Sequence, residues 1–103
     1  MAKAYWVAMV DVSDPERYKA YVAENAVAFR KFGARFVIRG GRSETVEGRS
    51  RSRLVVLEFK DYATAVECYR SPEYAKALAL RTASSVADVV IVEGYDGPQP
   101  SDG

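Results

Sequence analysis

Along this chain the spacing of apolar residues alternates between a period near two and one near 3.6, in the order strand, helix, strand, strand, helix, strand. The whole series fits within 103 residues. A chain of that length makes one domain and buries only about 60–68% of its unfolded surface, so one modest core has to serve all six elements. No set of residues in the series names a reaction or a substrate.

Residues 4–12 are rich in aromatic and β-branched types and end at Ser13–Asp14–Pro15, which predicts the first strand. Asp14 can accept from an orphan backbone N–H while Pro15 presets the first helical φ; Ser13 with Glu16 offers a competing capping box one residue away. Tyr18, Val22, Ala26 and Phe29, widened by Tyr21, Ala28 and Phe32, supply the helix with an apolar face, and Gly33 stops it. Arg17, Lys19, Glu24 and Lys31 mark its exposed side. Residues 34–39 read as the second strand, Gly40–Gly41 as a bend or bulge, residues 42–46 as an irregular continuation and residues 47–50 as the turn. Residues 53–59 give the third strand, and Asp61 caps a second helix to Arg70. Ser71–Pro72 interrupts that helix, and a second cap-and-proline start relaunches it through Arg81, predicting a helix in two pieces. Residues 87–95 read as the last strand. Residues 97–103 have no apolar payload to offset their ordering entropy, so the domain is expected over 1–96 with a flexible tail after it.

Two βαβ-type halves of this size suggest an α+β domain of the ferredoxin-like β-α-β-β-α-β kind, a four-stranded antiparallel sheet with its helices on one face. The other face needs an occupant. Val55, Leu57 and Phe59 oppose Leu54 and Val56; Val89 and Ile91 oppose Val90 and Val92; Trp6, Ala8 and Val10 oppose Val7 and Met9. A sheet open to water on one side alternates apolar with polar, so two apolar faces predict a second copy against the open one. A homodimer is therefore expected, with a standard interface of roughly 1,200–2,000 Å².

Several stretches carry a family resemblance: Ala4–Tyr5–Trp6, Asp14–Pro15–Glu16, Asn25, Arg39–Gly40–Gly41, and the run from Tyr69 through Arg70, Ser71, Pro72 and Glu73 to Tyr74. Together they make residues 3–95 similar to a small, largely bacterial family of unknown function within the dimeric α+β barrel superfamily. The resemblance implies a ferredoxin-like dimeric α+β barrel with no settled activity. The wider superfamily includes cofactor-free quinone-forming monooxygenases, haem-degrading monooxygenases, muconolactone isomerases and stress-responsive barrel proteins. Fold does not fix function. The haem-degrading kind resembled here relies on a histidine ligand, and this chain has none.

Composition narrows the chemistry further. The chain is 49% hydrophobic and 28% charged with a formal net charge of +1, ordinary for a globular domain and without strong pull on nucleic acid or membrane. The third strand lacks the glycine and paired aromatics of RNA-recognition domains that share this strand order. The start shows no charged region followed by a long apolar run, Cys68 is the single cysteine, and a soluble cytoplasmic protein is expected. Without histidine, Ser-His-Asp and Cys-His pairs are excluded, and one cysteine cannot assemble a usual zinc site. What remains is Tyr, Arg, Asn or carboxylate chemistry without a cofactor, or a hard metal on Asp and Glu oxygens.

The candidates follow from position. Asn25 sits in the apolar stripe of the first helix, where an unpaired amide costs about 1–3 kcal/mol. It either bonds a backbone carbonyl at the Gly40–Gly41 bend or orients a ligand in a pocket between helix and sheet. Arg39 either pairs with Glu58 or Glu93 across the sheet or meets a ligand carboxylate beside the two glycines. Tyr69, Tyr74 and Arg81 occupy the broken helix, as core or as polar tips in a cleft; Arg81 is the best anchor for an anion, Tyr69 a donor or acid, and Trp6 a wall. Glu58 and Glu93 lie in apolar strands, where burial would raise a carboxyl pKa unless a salt bridge holds it. Arg42, Arg49, Arg51 and Arg53, interleaved with Glu44 and Glu47, suit a solvated hairpin, and Cys68 a buried small hydrophobe. The leading expectation is a dimer that binds a small aromatic or anionic metabolite in each subunit, lined by Asn25, Arg39, Tyr69, Arg81 and Trp6, and acts on it by monooxygenase- or isomerase-like chemistry. The alternative is a non-catalytic dimer with no ligand.

Overall fold

The computed structural model describes residues 2–102, with elements β1 (Ala4–Val12), α1 (Pro15–Phe32), β2 (Arg35–Arg39), β3 (Arg53–Phe59), α2 (Tyr62–Arg70), α3 (Pro72–Ser84) and β4 (Ser85–Glu93). The four strands form one antiparallel sheet in the order β2-β3-β1-β4, the ferredoxin-like arrangement expected from the period pattern.

Local chemistry sets the helix ends. Asp14 caps α1, its Oδ1 accepting from Arg17 N at 3.2 Å, so the Asp14–Pro15 start prevails over the Ser13 box. Gly33 closes α1 in the left-handed region at φ 68°. Ser71 ends α2 and begins α3: its Oγ donates to Cys68 O at 2.7 Å and accepts from Tyr74 N at 3.1 Å. One hydroxyl therefore serves both ends of the break that Pro72 imposes.

Two boundaries differ from expectation. β4 spans 85–93 rather than 87–95, because α3 continues to Ser84 and passes into the strand without a loop. Ser84 Oγ donates back to Leu80 O, Ser84 O accepts from Ser13 N and Asp14 N, and Ser85 pairs with Val12. After Glu93 the last tie is Gly94 N to Lys3 O at 2.7 Å. Residues 42–46 do not continue β2. The bulge falls at Val37, between Phe36 and Ile38; Gly40 N makes the final ladder bond to Leu54 O and turns away at φ 65°.

The core lies between the helices and the inner sheet face. Trp6 is its centre, with ring centroids 4.9–5.5 Å from Tyr74, Phe59, Phe29 and Tyr69, and its Nε1 donates to Ala65 O at 2.9 Å. Each such aromatic pair adds about 0.5–1.5 kcal/mol beyond the area it buries. On the outer face Val7, Met9, Leu54 and Val56 are half-buried, while Val86, Val90 and Val92 are exposed, Val90 to 55%.

Candidate functional site

A cavity of about 30 Å³ opens between the inner sheet face and the helices, walled by Trp6, Phe29, Phe36 and Leu57 and reached by polar groups from α1, α3, β2 and β3. α1 contributes Tyr21 and Asn25, one turn apart on the same stripe; α3 contributes Tyr74 and Arg81, two turns apart. Asn25 is 6% exposed and Arg81 7%.

Tyr21 Oη and Tyr74 Oη lie 2.9 Å apart, a buried hydroxyl pair. Burial pushes both phenols above their ordinary range. For Tyr21 the Tyr74 hydroxyl, the Asn25 amide and the Arg81 guanidinium oppose that shift in part; for Tyr74 the neighbouring Tyr21 adds to it, and Arg81 opposes it. Both tyrosines are therefore neutral near neutral pH, and with one hydroxyl donating to the other the pair has one O–H free to donate. Arg81 stands beside them with no carboxylate partner among the described residues, and its buried Nε has no hydrogen-bond partner.

The Asn25 amide is close enough to Tyr21 to hold its phenol down in part, and among the described residues no hydrogen bond joins it to a backbone carbonyl at the Gly40–Gly41 bend. Arg39 lies over the Phe36 ring at 4.0 Å from its centroid rather than across the sheet, because the bulge at Val37 returns it to the inner face opposite Val55. Glu58, which the cross-strand reading paired with Arg39, is on the outer face and bonds Lys3 Nζ at 2.8 Å. That bond holds the Glu58 carboxyl below its usual value, so the raised-pKa reading of Glu58 fails. Glu93 is exposed at the end of β4. Of the five expected lining residues, Trp6, Asn25, Arg39 and Arg81 reach the cavity. Tyr69 does not; it packs on Trp6 and Tyr74 outside the lining.

Three further lining residues fall outside that expected set. Tyr21 reads as packing, Tyr74 as either core or a polar tip in a cleft, and Arg53 as part of the solvated arginine run. Its position two before Val55 gives it the same strand face as Val55 and Leu57, the signal that could have found it. Its neighbour Arg51 points the other way and bridges Asp11 at 3.0 Å and Asp88 at 2.8 Å. Cys68 is fully buried, and burial pushes its thiol up to about 12, the reverse of an activated nucleophile. Among the described residues no three Cys, Asp or Glu side chains gather to hold a metal, and no helix is long and apolar enough to cross a membrane.

Residues 3–95 match the model of a family described as a domain of unknown function, DUF1330. The chain belongs to that family. Several solved structures share the fold of this DUF1330 chain. A protein of unknown function from Rhodopseudomonas palustris superposes with a TM-score of 0.75 at 18% identity, covering 93% of this chain and 85% of that one. SnoaB from Streptomyces nogalater, described as a cofactor-independent oxygenase, gives 0.67 at 15% identity over 97% of this chain and 99% of its own. A conserved protein of unknown function from Bacteroides thetaiotaomicron, described as a possible oxidoreductase, gives 0.56 at 13% over 90% and 98%. At such identities the likeness is one of fold. No curated protein matches the DUF1330 chain.

Proposed function

We propose that this protein is a homodimer, joined through the outer sheet face, and that each subunit binds a small anionic metabolite in the cavity beneath α1 and α3. The observation that carries the reading is Arg81. A guanidinium stays charged at any pH a protein meets, and leaving one buried without a carboxylate costs several kcal/mol unless an anion arrives to meet it. The groups beside it suit a carboxylate, enolate or phenolate: a phenol pair with one O–H left to donate, an amide to orient, and aromatic walls for a flat body. The same groups stabilise negative charge developing on a bound substrate, which supports cofactor-independent chemistry of the kind named for SnoaB.

One observation favours the non-catalytic alternative. A cavity of about 30 Å³ has room for about two waters. Ligand pockets usually measure about 300–1,000 Å³. Binding therefore requires the wall to open, and the exposed side at Arg39 and Gly40 is where it can give; the Trp6 side is locked by four rings.

Calorimetric titration with benzoate tests this reading against Arg81→Met. The intact protein should bind and the variant should not. The unliganded variant should melt no lower than the parent, since exchanging an unpaired buried charge for an apolar chain of similar volume is neutral or stabilising by about 1–4 kcal/mol. Equal binding by both proteins would refute the site, and a large loss of stability would show that Arg81 is satisfied internally.

A further inference from the structure

Arg81 is not alone. Arg53, half-buried at the start of β3, also lines the cavity, also has a buried Nε without a hydrogen-bond partner, and forms no ion pair among the described residues. The cavity lining contains Arg39, Arg53 and Arg81 and not one Asp or Glu. In a protein of net charge +1 with 14 acidic residues, three arginines around one cavity without an acid is a local arrangement, not a reflection of composition.

These two guanidiniums, neither with a carboxylate partner among the described residues, enter from different walls. Arg81 comes from α3, beside the Tyr21–Tyr74 hydroxyl pair. Arg53 comes from the β2–β3 side, its Cζ 5.9 Å from the Tyr18 ring centroid, with Arg39 next to it on β2 opposite Val55. Tyr18, beside Arg53, and Tyr21, within reach of the Arg81 charge, have their rings 5.3 Å apart. Gly40 has a part in the second one: a Cβ there would collide with the Arg53 guanidinium, so the absence of a side chain makes the room that Arg53 occupies.

Building on the reading of the cavity as an anion site, we infer that its ligand is a dianion: a flat, apolar body carrying two acidic groups, one meeting Arg81 and the tyrosine pair, the other meeting Arg53 with Arg39 beside it. A single carboxylate satisfies one guanidinium and leaves the other unpaired; a dicarboxylate with an aromatic or conjugated spacer satisfies both while its body lies against Phe29, Phe36 and Trp6. Arg53 is then the residue that separates dianions from monoanions.

Trp6 is the sole tryptophan and lines the cavity, so its fluorescence reports occupancy. The test titrates benzoate, isophthalate and terephthalate into the intact protein, Arg53→Gln, Arg81→Gln and, as a control for bulk charge, Arg49→Gln, whose side chain is exposed on the hairpin. One charge-assisted contact corresponds to about tenfold in affinity or more, so at least one dicarboxylate should bind about tenfold tighter than benzoate. Arg53→Gln should erase that advantage and weaken benzoate far less than it weakens the dicarboxylates, Arg81→Gln should weaken all three, and Arg49→Gln should change nothing. Benzoate binding with no gain for either dicarboxylate, a loss in Arg53→Gln shared equally by benzoate, or an effect of Arg49→Gln as large as that of Arg53→Gln would overturn the dianion inference while leaving the anion site standing. If none of the three binds, both readings fail together.

Discussion

Buried polar and ionisable side chains divide here into those whose surroundings satisfy them and those left waiting. Ser71 and Ser84 spend their hydroxyls on helix carbonyls, and Tyr21 and Tyr74 on each other. Arg81 has no such settlement at its Nε, nor has Arg53. Cys68 is buried and apolar in effect, and it makes a prediction of its own. The folded chain keeps its thiol proton up to about 12, whereas the unfolded chain releases it above an ordinary 9.0. The native state thus binds more protons over that window, so the contribution is fully present below pH 9.0 and is lost as pH rises toward about 12. The melting midpoint should decline through this range, and Cys68→Ala should decline less; parallel curves would contradict the assignment. Tyr21 and Tyr74, both raised from 10.0, deepen the decline at its upper end. Asn25 and Arg81 were legible as candidates because polar types on an apolar stripe demand partners. Arg53 was hidden in a run of arginines, where charge pattern outweighed strand parity. Tyr21 was hidden, and Tyr74 stayed open between core and cleft, because an aromatic at helical spacing looks the same whether its hydroxyl meets a neighbour or solvent.

At the level of elements the period pattern carried the order, the caps and the two-piece helix, since each has a local chemical cause. Two boundaries needed tertiary information. β4 begins at Ser85 because Ser84 anchors the β1–α1 junction, a contact between segments some seventy residues apart in sequence that no window along the chain reveals. The bulge at Val37 was invisible beside the more conspicuous Gly40–Gly41, yet it is what returns Arg39 to the inner face. Gly40 and Gly33 separate strain from crowding. Both have positive φ, 65° and 68°, but a Cβ meets nothing at Gly33 and the Arg53 guanidinium at Gly40. Each alanine variant should lose about 1–2 kcal/mol in chemical denaturation from the left-handed backbone. Only Gly40→Ala should also weaken dicarboxylate binding, by displacing Arg53; equal binding by the two variants would mean that Arg53 reaches the ligand without the space Gly40 leaves.

For the whole molecule, the sheet is the organising surface: one face holds the core and the cavity, and the other presents Val7, Met9, Leu54, Val56, Val86, Val90 and Val92, the apolar surface proposed to meet a second copy. Both faces were readable from strand alternation; the size of the cavity was not, because it depends on how side chains fill a gap rather than on which types line it. Val56→Asp places an unpaired charge in the middle of the outer face and should yield a monomer that keeps the fold. The most direct measurement is native mass spectrometry at micromolar protein supplied with benzoate, on the parent and on Arg81→Met. The expected spectrum is a dimer carrying one benzoate per subunit for the parent and a bare dimer for the variant. A parent that stays bare, or a variant that retains benzoate as well as the parent does, would contradict the assignment of Arg81 as the anion anchor, and a parent that runs as a monomer would contradict the role given to the outer face.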